Sequence, residues 1–198
     1  MTAHSAPSGV EDAELLRAQV YALLARLLMS PPDGRLLARL AALGGDQTAL
    51  GQAIGALSAA AATTDETAAE REFGALFIGV TRGEVVPYAS YYRTGFLNDR
   101  PLAVLREDMA RLGLAAAQGV AEPEDHLGAL CDMMAALITR GTELPIQKAF
   151  FDRHLQPWAG RAFDDIAAAP SAVLYAPVGA IGRVLLSIDE DAFALEGD

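Results

Sequence analysis

The sequence predicts an all-α protein, a single-domain helical bundle, on three observations. Apolar residues recur at helical spacing in one run after another, no segment alternates with period two long enough to make a strand, and no repeat is present. A chain of 198 residues, 52% hydrophobic and 21% charged, is sized for one core. Residues 1–10, without an apolar run, read as a disordered leader, and residues 11–198 as the domain.

Leu16, Val20, Leu23, Leu24, Leu27 and Leu28 line one face of a first helix, which "SPPDG" (Ser30 to Gly34) stops because proline lacks a donor and disfavours helix before it. "RLLARLAAL" predicts a short second helix ended by Gly44 and Gly45, and Leu50, Ile54, Leu57 and Ala61 a third. In "TTDETAAEREFGALFIG", Thr67 with Glu70 reads as a capping box, Phe73, Leu76 and Phe77 share a face, and Gly79 closes the helix. Residues 79–100 then show no sustained periodicity. They read as a long loop rich in aromatics, Tyr88, Tyr91, Tyr92 and Phe96, and loops of that length tend to be functional.

Pro101 opens the next helix, with Leu102, Leu105, Met109 and Leu112 inward. Leu127, Leu130, Cys131, Met134, Leu137 and Ile138 form an unbroken core helix. Two helices split at Pro157 follow, and "LYAPVGAIGRVLLSI" supplies the last despite Pro177.

Composition excludes several functions. A net charge of -11 without a Lys/Arg cluster makes nucleic acid a poor partner. Asp164, Asp165 and the late acids Asp189, Glu190, Asp191, Glu196 and Asp198 read as a solvated face. Cys131 is the only cysteine, which rules out an intrachain disulfide and suits a reducing compartment. The first residues lack a signal-peptide pattern and no apolar stretch reaches the ~18 residues of a membrane span, so the expectation is a cytoplasmic protein.

Phosphate-loop and nucleophile-elbow strings are missing, and His4, His126 and His154 are scattered, so neither metal nor cofactor is expected. Asp125 and His126 are neighbours and would point about 100° apart on a helix, which makes a dyad with Ser90 unworkable. The stretch "EPEDH" (Glu122 to His126) instead reads either as an acidic collar in the first turn of the core helix or as a binding site.

Four stretches in order, "EFGALFIG" (Glu72 to Gly79), "VPYASYY" (Val86 to Tyr92), "EPEDH" and "FFDRHLQPWAGRAFDDI" (Phe150 to Ile166), together resemble the TorD/DmsD/NarJ family of redox-enzyme maturation chaperones, from about Leu15 to Leu186. The resemblance implies a helical chaperone, not an enzyme. Its partners would be the twin-arginine leader and the apoprotein of a molybdenum-cofactor oxidoreductase, of the formate dehydrogenase or the sulfoxide or amine-oxide reductase type. The chaperone would hold the apoenzyme until cofactor insertion and so delay export, as a monomer or a dimer that exchanges helices.

By the same resemblance Asp125 and His126 are implicated in leader binding, with Glu122 and Pro123 completing the motif. Tyr88, Ser90 and Tyr91 correspond to a Tyr-x-Ser-Tyr motif, and His154, Leu155, Pro157 and Trp158 to a His-Leu-x-Pro-Trp motif. Trp158 is the only tryptophan, where some relatives carry more.

A twin-arginine leader needs carboxylates beside an apolar groove, because guanidinium forks take bidentate bonds from carboxylates. The expected arrangement puts Glu122 and Asp125 on the rim and Tyr88, Tyr91 and Tyr92 along the groove wall, with His126 either tuning binding near neutral pH or serving as a neutral hydrogen-bonding residue. A helical adaptor for an unrelated partner helix would need the groove without the arginine preference. A nucleotide-responsive chaperone would be a third class, though the chain has no phosphate loop.

Overall fold

The computed structural model describes residues 9–115 and 122–195. Of the expected leader, only Gly9 and Val10 fall within them, and both already stand in the first helix. Among the described residues there are ten α-helices and no strand, only one isolated antiparallel bridge between Tyr88 and His126. None of these helices is long and apolar enough to cross a membrane.

Helix α1 (Gly9–Met29) ends before Pro31. Its buried face carries Ala18, Tyr21, Leu24, Ala25 and Leu28, and Leu16 is 51% exposed rather than inward. Val20, Leu24, Leu27 and Leu28 of the expected stripe are buried and Leu23 packs against the core, so only Leu16 departs, while Ala18, Tyr21 and Ala25 widen the inner face. Helices α2 (Gly34–Ala41) and α3 (Ala49–Thr63) begin at Asp33 and Thr48, whose side-chain oxygens accept from Leu36 N and Gly51 N.

Helix α4 (Glu66–Phe73) is capped by Asp65, which accepts from Ala68 N, and not by the expected Thr67 and Glu70 box. Aspartate is the stronger cap and sits two residues earlier, which leaves Thr67 inside the first turn. The chain continues through a π-helical turn, Gly74–Ile78, closed as expected by Gly79 at φ 62°.

The expected long loop contains a further short helix, α5 (Ala89–Thr94), ended by Gly95 in the left-handed region. Six residues are too few to reveal a helical period. Helix α6 (Arg100–Leu112) starts from Asp99 with Pro101 in its first turn.

Helix α7 (Leu127–Thr139) runs through the core, where Leu127, Leu130, Cys131 and Met134 have no exposed surface. It packs along α1. Helices α8 (Leu144–His154) and α9 (Ala159–Ala168) follow, and α10 (Tyr175–Leu195) packs on α9 and α3. Pro177 is tolerated because it lies in the first turn of α10, where no intrahelical donor is needed. Glu72 accepts from Val173 N, Leu174 N and Tyr175 N at the start of that helix.

The two longest helices, α1 and α10, are tied by a buried polar cluster. Arg17 Nε lies 2.9 Å from Asp189 Oδ1, off the hydrogen-bonding axis, and Tyr21 donates to Asp189 Oδ2 at 2.7 Å. Arg17 also donates to Gln147 on α8. Asp189 is therefore wholly buried, not part of a solvated acidic face. Burial pushes its carboxyl up to about 6, against the lowering effects of Arg17 and of the Tyr21 hydrogen bond.

Candidate functional site

The "EPEDH" stretch is not a first-turn collar, and its two glutamates border a groove while Asp125 and His126 are buried. Helix α7 has no acid in its first turn, and its N-cap is His126, whose Nδ1 accepts from Gly128 N at 3.0 Å. Asp125 precedes the cap and is only 1% exposed. Its backbone carbonyl accepts from Ala89 N at 3.0 Å, and its Oδ2 from Ser90 N at 2.8 Å. Leu127 N donates to Pro87 O at 2.8 Å. These bonds clasp residues 87–90 against residues 125–127 and fix where α5 and α7 begin.

His126 is also buried, at 5% exposure, and burial lowers its imidazole to about 4 although Glu122 and Asp125 oppose the shift. That shift favours the neutral ring and the hydrogen-bonding role of the two expected for it. Ser90 is buried beneath the clasp. The His-Leu-x-Pro-Trp residues are structural as well: Trp158 Nε1 donates to His154 O at 2.7 Å, and His154 Nε2 meets Asp108 Oδ2 at 2.7 Å.

The three tyrosines part company. Tyr88 stays at the clasp, with its ring 5.0 Å from that of His126 and its hydroxyl donating to Glu122. Tyr91 accepts from Arg82 at 2.9 Å. Tyr92 packs on Trp158 at 5.3 Å, donates to Asp165 at 2.5 Å and takes Arg161 on its carbonyl. Tyr91 and Tyr92 therefore tie α5 to neighbouring segments, and none of the three tyrosines lines the α1–α7 groove.

A groove of about 290 Å³ does lie beside the motif, between α1 and α7. Ala22, Ala25 and Met29 form its α1 side, and Ala129 and Met133 its α7 side. Its carboxylates are Glu122 and Glu124 at one end and Asp132 on α7. Glu122 and Asp132 are exposed, and Pro123 turns the chain between the two glutamates.

Glu124 is paired with Arg106 of α6 and is held below the usual carboxylate range by that hydrogen bond. Arg26 also borders the groove but folds back onto Ser30. Small residues leave the channel open, methionines give it an adaptable lining, and carboxylates at its border can receive a cation.

Glu124, Asp132 and the alanine and methionine walls were not among the site residues read from the sequence. The available signal was the pairing of Ala22, Ala25 and Met29 with Ala129 and Met133, at helical spacing on two helices.

A family model described as "Nitrate reductase delta subunit" matches residues 43–164, more than half of the chain. The chain belongs to that family. It is the TorD/DmsD/NarJ family that the motifs resemble, a family of chaperones rather than enzymes. Among curated relatives of this family, a "Chaperone protein TorD" from Vibrio atlanticus is 32% identical over 99 residues, 44% of this chain and 46% of the relative. Its namesake from Vibrio cholerae serotype O1 is 33% identical over 98 residues, 44% of each. The chain thus spans a little under half the length of these curated relatives.

A crystal structure assigned as a redox enzyme maturation protein, from Archaeoglobus fulgidus, superposes with a TM-score of 0.58 over 94% of this chain and 98% of that one. At 18% identity that likeness concerns the fold alone.

Proposed function

We propose that the protein is a cytoplasmic maturation chaperone for a molybdenum-cofactor oxidoreductase. It binds the twin-arginine leader of the apoenzyme and delays export until the cofactor is in place. Family membership supports the class, and one observation carries the leader reading: an apolar α1–α7 groove bordered by Glu122, Glu124 and Asp132. A twin-arginine leader presents guanidinium groups followed by an apolar, helix-prone segment, and this groove offers a counterpart to each part.

The division of labour differs from a simple rim of motif residues. Glu122, Glu124 and Asp132 face the peptide, while Asp125, His126, Ser90 and Tyr88 shape the segment that presents the glutamates. Exposed ion pairs contribute only about 0–1 kcal/mol each, so apolar burial supplies most of the affinity and charge sets selectivity and on-rate.

Calorimetry with a leader peptide and its lysine-pair counterpart, each at two salt concentrations, tests the proposal. The arginine peptide should bind several-fold more tightly and lose part of that advantage at high salt. Equal binding of both peptides would favour a general helix adaptor, and failure to bind either would remove the leader function.

A further inference from the structure

One of the groove carboxylates already holds a guanidinium from outside the groove lining. Arg106 of α6 directs Nε at 3.0 Å and Nη2 at 2.7 Å onto Glu124 Oε2. The arginine is 58% exposed and the glutamate 21%. Glu122 is met by the neutral Tyr88 hydroxyl, and Asp132 takes neither a hydrogen bond nor an ion pair among the described residues. Arg26, the cation that the groove lining does include, turns its Nη1 onto Ser30. Of the three groove carboxylates, only Glu124 is neutralised from within the chain, by the chemical group that a leader arginine would bring.

We propose that Arg106 occupies an arginine subsite at Glu124 in the free protein and that a guanidinium of the bound peptide displaces it. This rests on the leader-binding reading above. The exchange is balanced in kind, since one two-nitrogen contact with a carboxylate replaces another. It is also cheap, because Arg106 leaves an exposed pair that is weak in water and its freed head returns to solvent. The pair therefore sets a threshold. It lowers the affinity of any peptide that must take Glu124 by one common factor, and a lysine ammonium, a point charge without the planar fork, has less binding energy with which to exceed it.

The test is a double-mutant cycle on Arg106→Gln and Glu124→Gln, read by calorimetry with the arginine-pair and lysine-pair peptides. Arg106→Gln should tighten arginine-peptide binding by up to about fivefold, the worth of an exposed pair. It should tighten lysine-peptide binding by no more than the same factor, so that discrimination does not narrow. Glu124→Gln should weaken the arginine peptide, and adding Arg106→Gln in that background should do nothing further.

An unchanged or weakened affinity in Arg106→Gln overturns the exchange, as does the same gain in the Glu124→Gln background. Unchanged thermal midpoints in both variants confirm that folding is not being read. A wild-type protein that binds neither peptide removes the leader function and the exchange together. A wild type that binds while Arg106→Gln is neutral removes the exchange alone.

Discussion

At the scale of single residues, Asp125 shows how a motif acid can serve a site without touching its ligand. Its Oδ2 satisfies Ser90 N while Oδ1 is buried without a partner, and almost none of the residue meets solvent. Asp125→Asn keeps an acceptor for Ser90 N and should hold leader affinity within about twofold. Asp125→Ala strands a buried donor and should cost about 1–3 kcal/mol in urea unfolding, weakening binding through the displaced glutamates. Equal loss of affinity in both variants, with stability intact, would show the charge itself at work on the peptide. That an acid stood beside the start of α7 was readable in the sequence. Its burial was not, because the partner amide lies 35 residues away and nothing local announces the clasp.

Among the elements, the cores of nine helices followed from apolar spacing and from proline and glycine punctuation, and α5 escaped because it is too short to have a period. The groove was hidden for a different reason: it is made of small side chains, and a periodicity argument registers what is present, not the space that alanines leave. Close approach is similarly silent in a sequence. A Cβ at Gly182 would sit 2.3 Å from carbons of the Phe163 ring, and one at Gly128 would sit 2.9 Å from Met29 Cγ.

The two glycines should therefore respond differently to alanine. Gly182→Ala forces a buried ring aside between α9 and α10 and should cost about 1–3 kcal/mol or more. At Gly128 the nearest obstruction is a flexible methionine on the groove wall, with Leu28 Cβ at 3.1 Å behind it, so Gly128→Ala should cost less stability than Gly182→Ala and change leader affinity as well. Differential scanning calorimetry with peptide titration separates these outcomes.

Across the whole molecule, two buried groups give opposing pH dependences. His126 falls from 6.5 to about 4 on folding, so between those values the unfolded chain holds a proton that the folded one does not, and stability drops as pH falls. Asp189 rises from 3.8 to about 6, so the folded chain takes its proton first and stability grows over nearly the same descent. Glu122 and Asp125 face the imidazole, and Arg17, Glu14 and Tyr21 the carboxyl. His126→Asn keeps a competent cap and removes only the first effect. Relative to the native protein, the variant should gain stability on the order of a few kcal/mol between pH 6.5 and 4.5, read from urea midpoints. A parallel pH profile for the two proteins would show that His126 is not the group responsible.

The pairing of Arg17 and Tyr21 with Asp189 has a consequence for the chain as it emerges from the ribosome. Tyr21 and Asp189 are separated by 168 positions, so the first long helix leaves the exit tunnel with a guanidinium and a phenol whose counterpart has not yet been translated. One wall of the α1–α7 groove belongs to that helix. Its polar tie to the last helix therefore closes only when nearly all of the message has been read, whereas the helix it packs along, α7, is complete at Thr139.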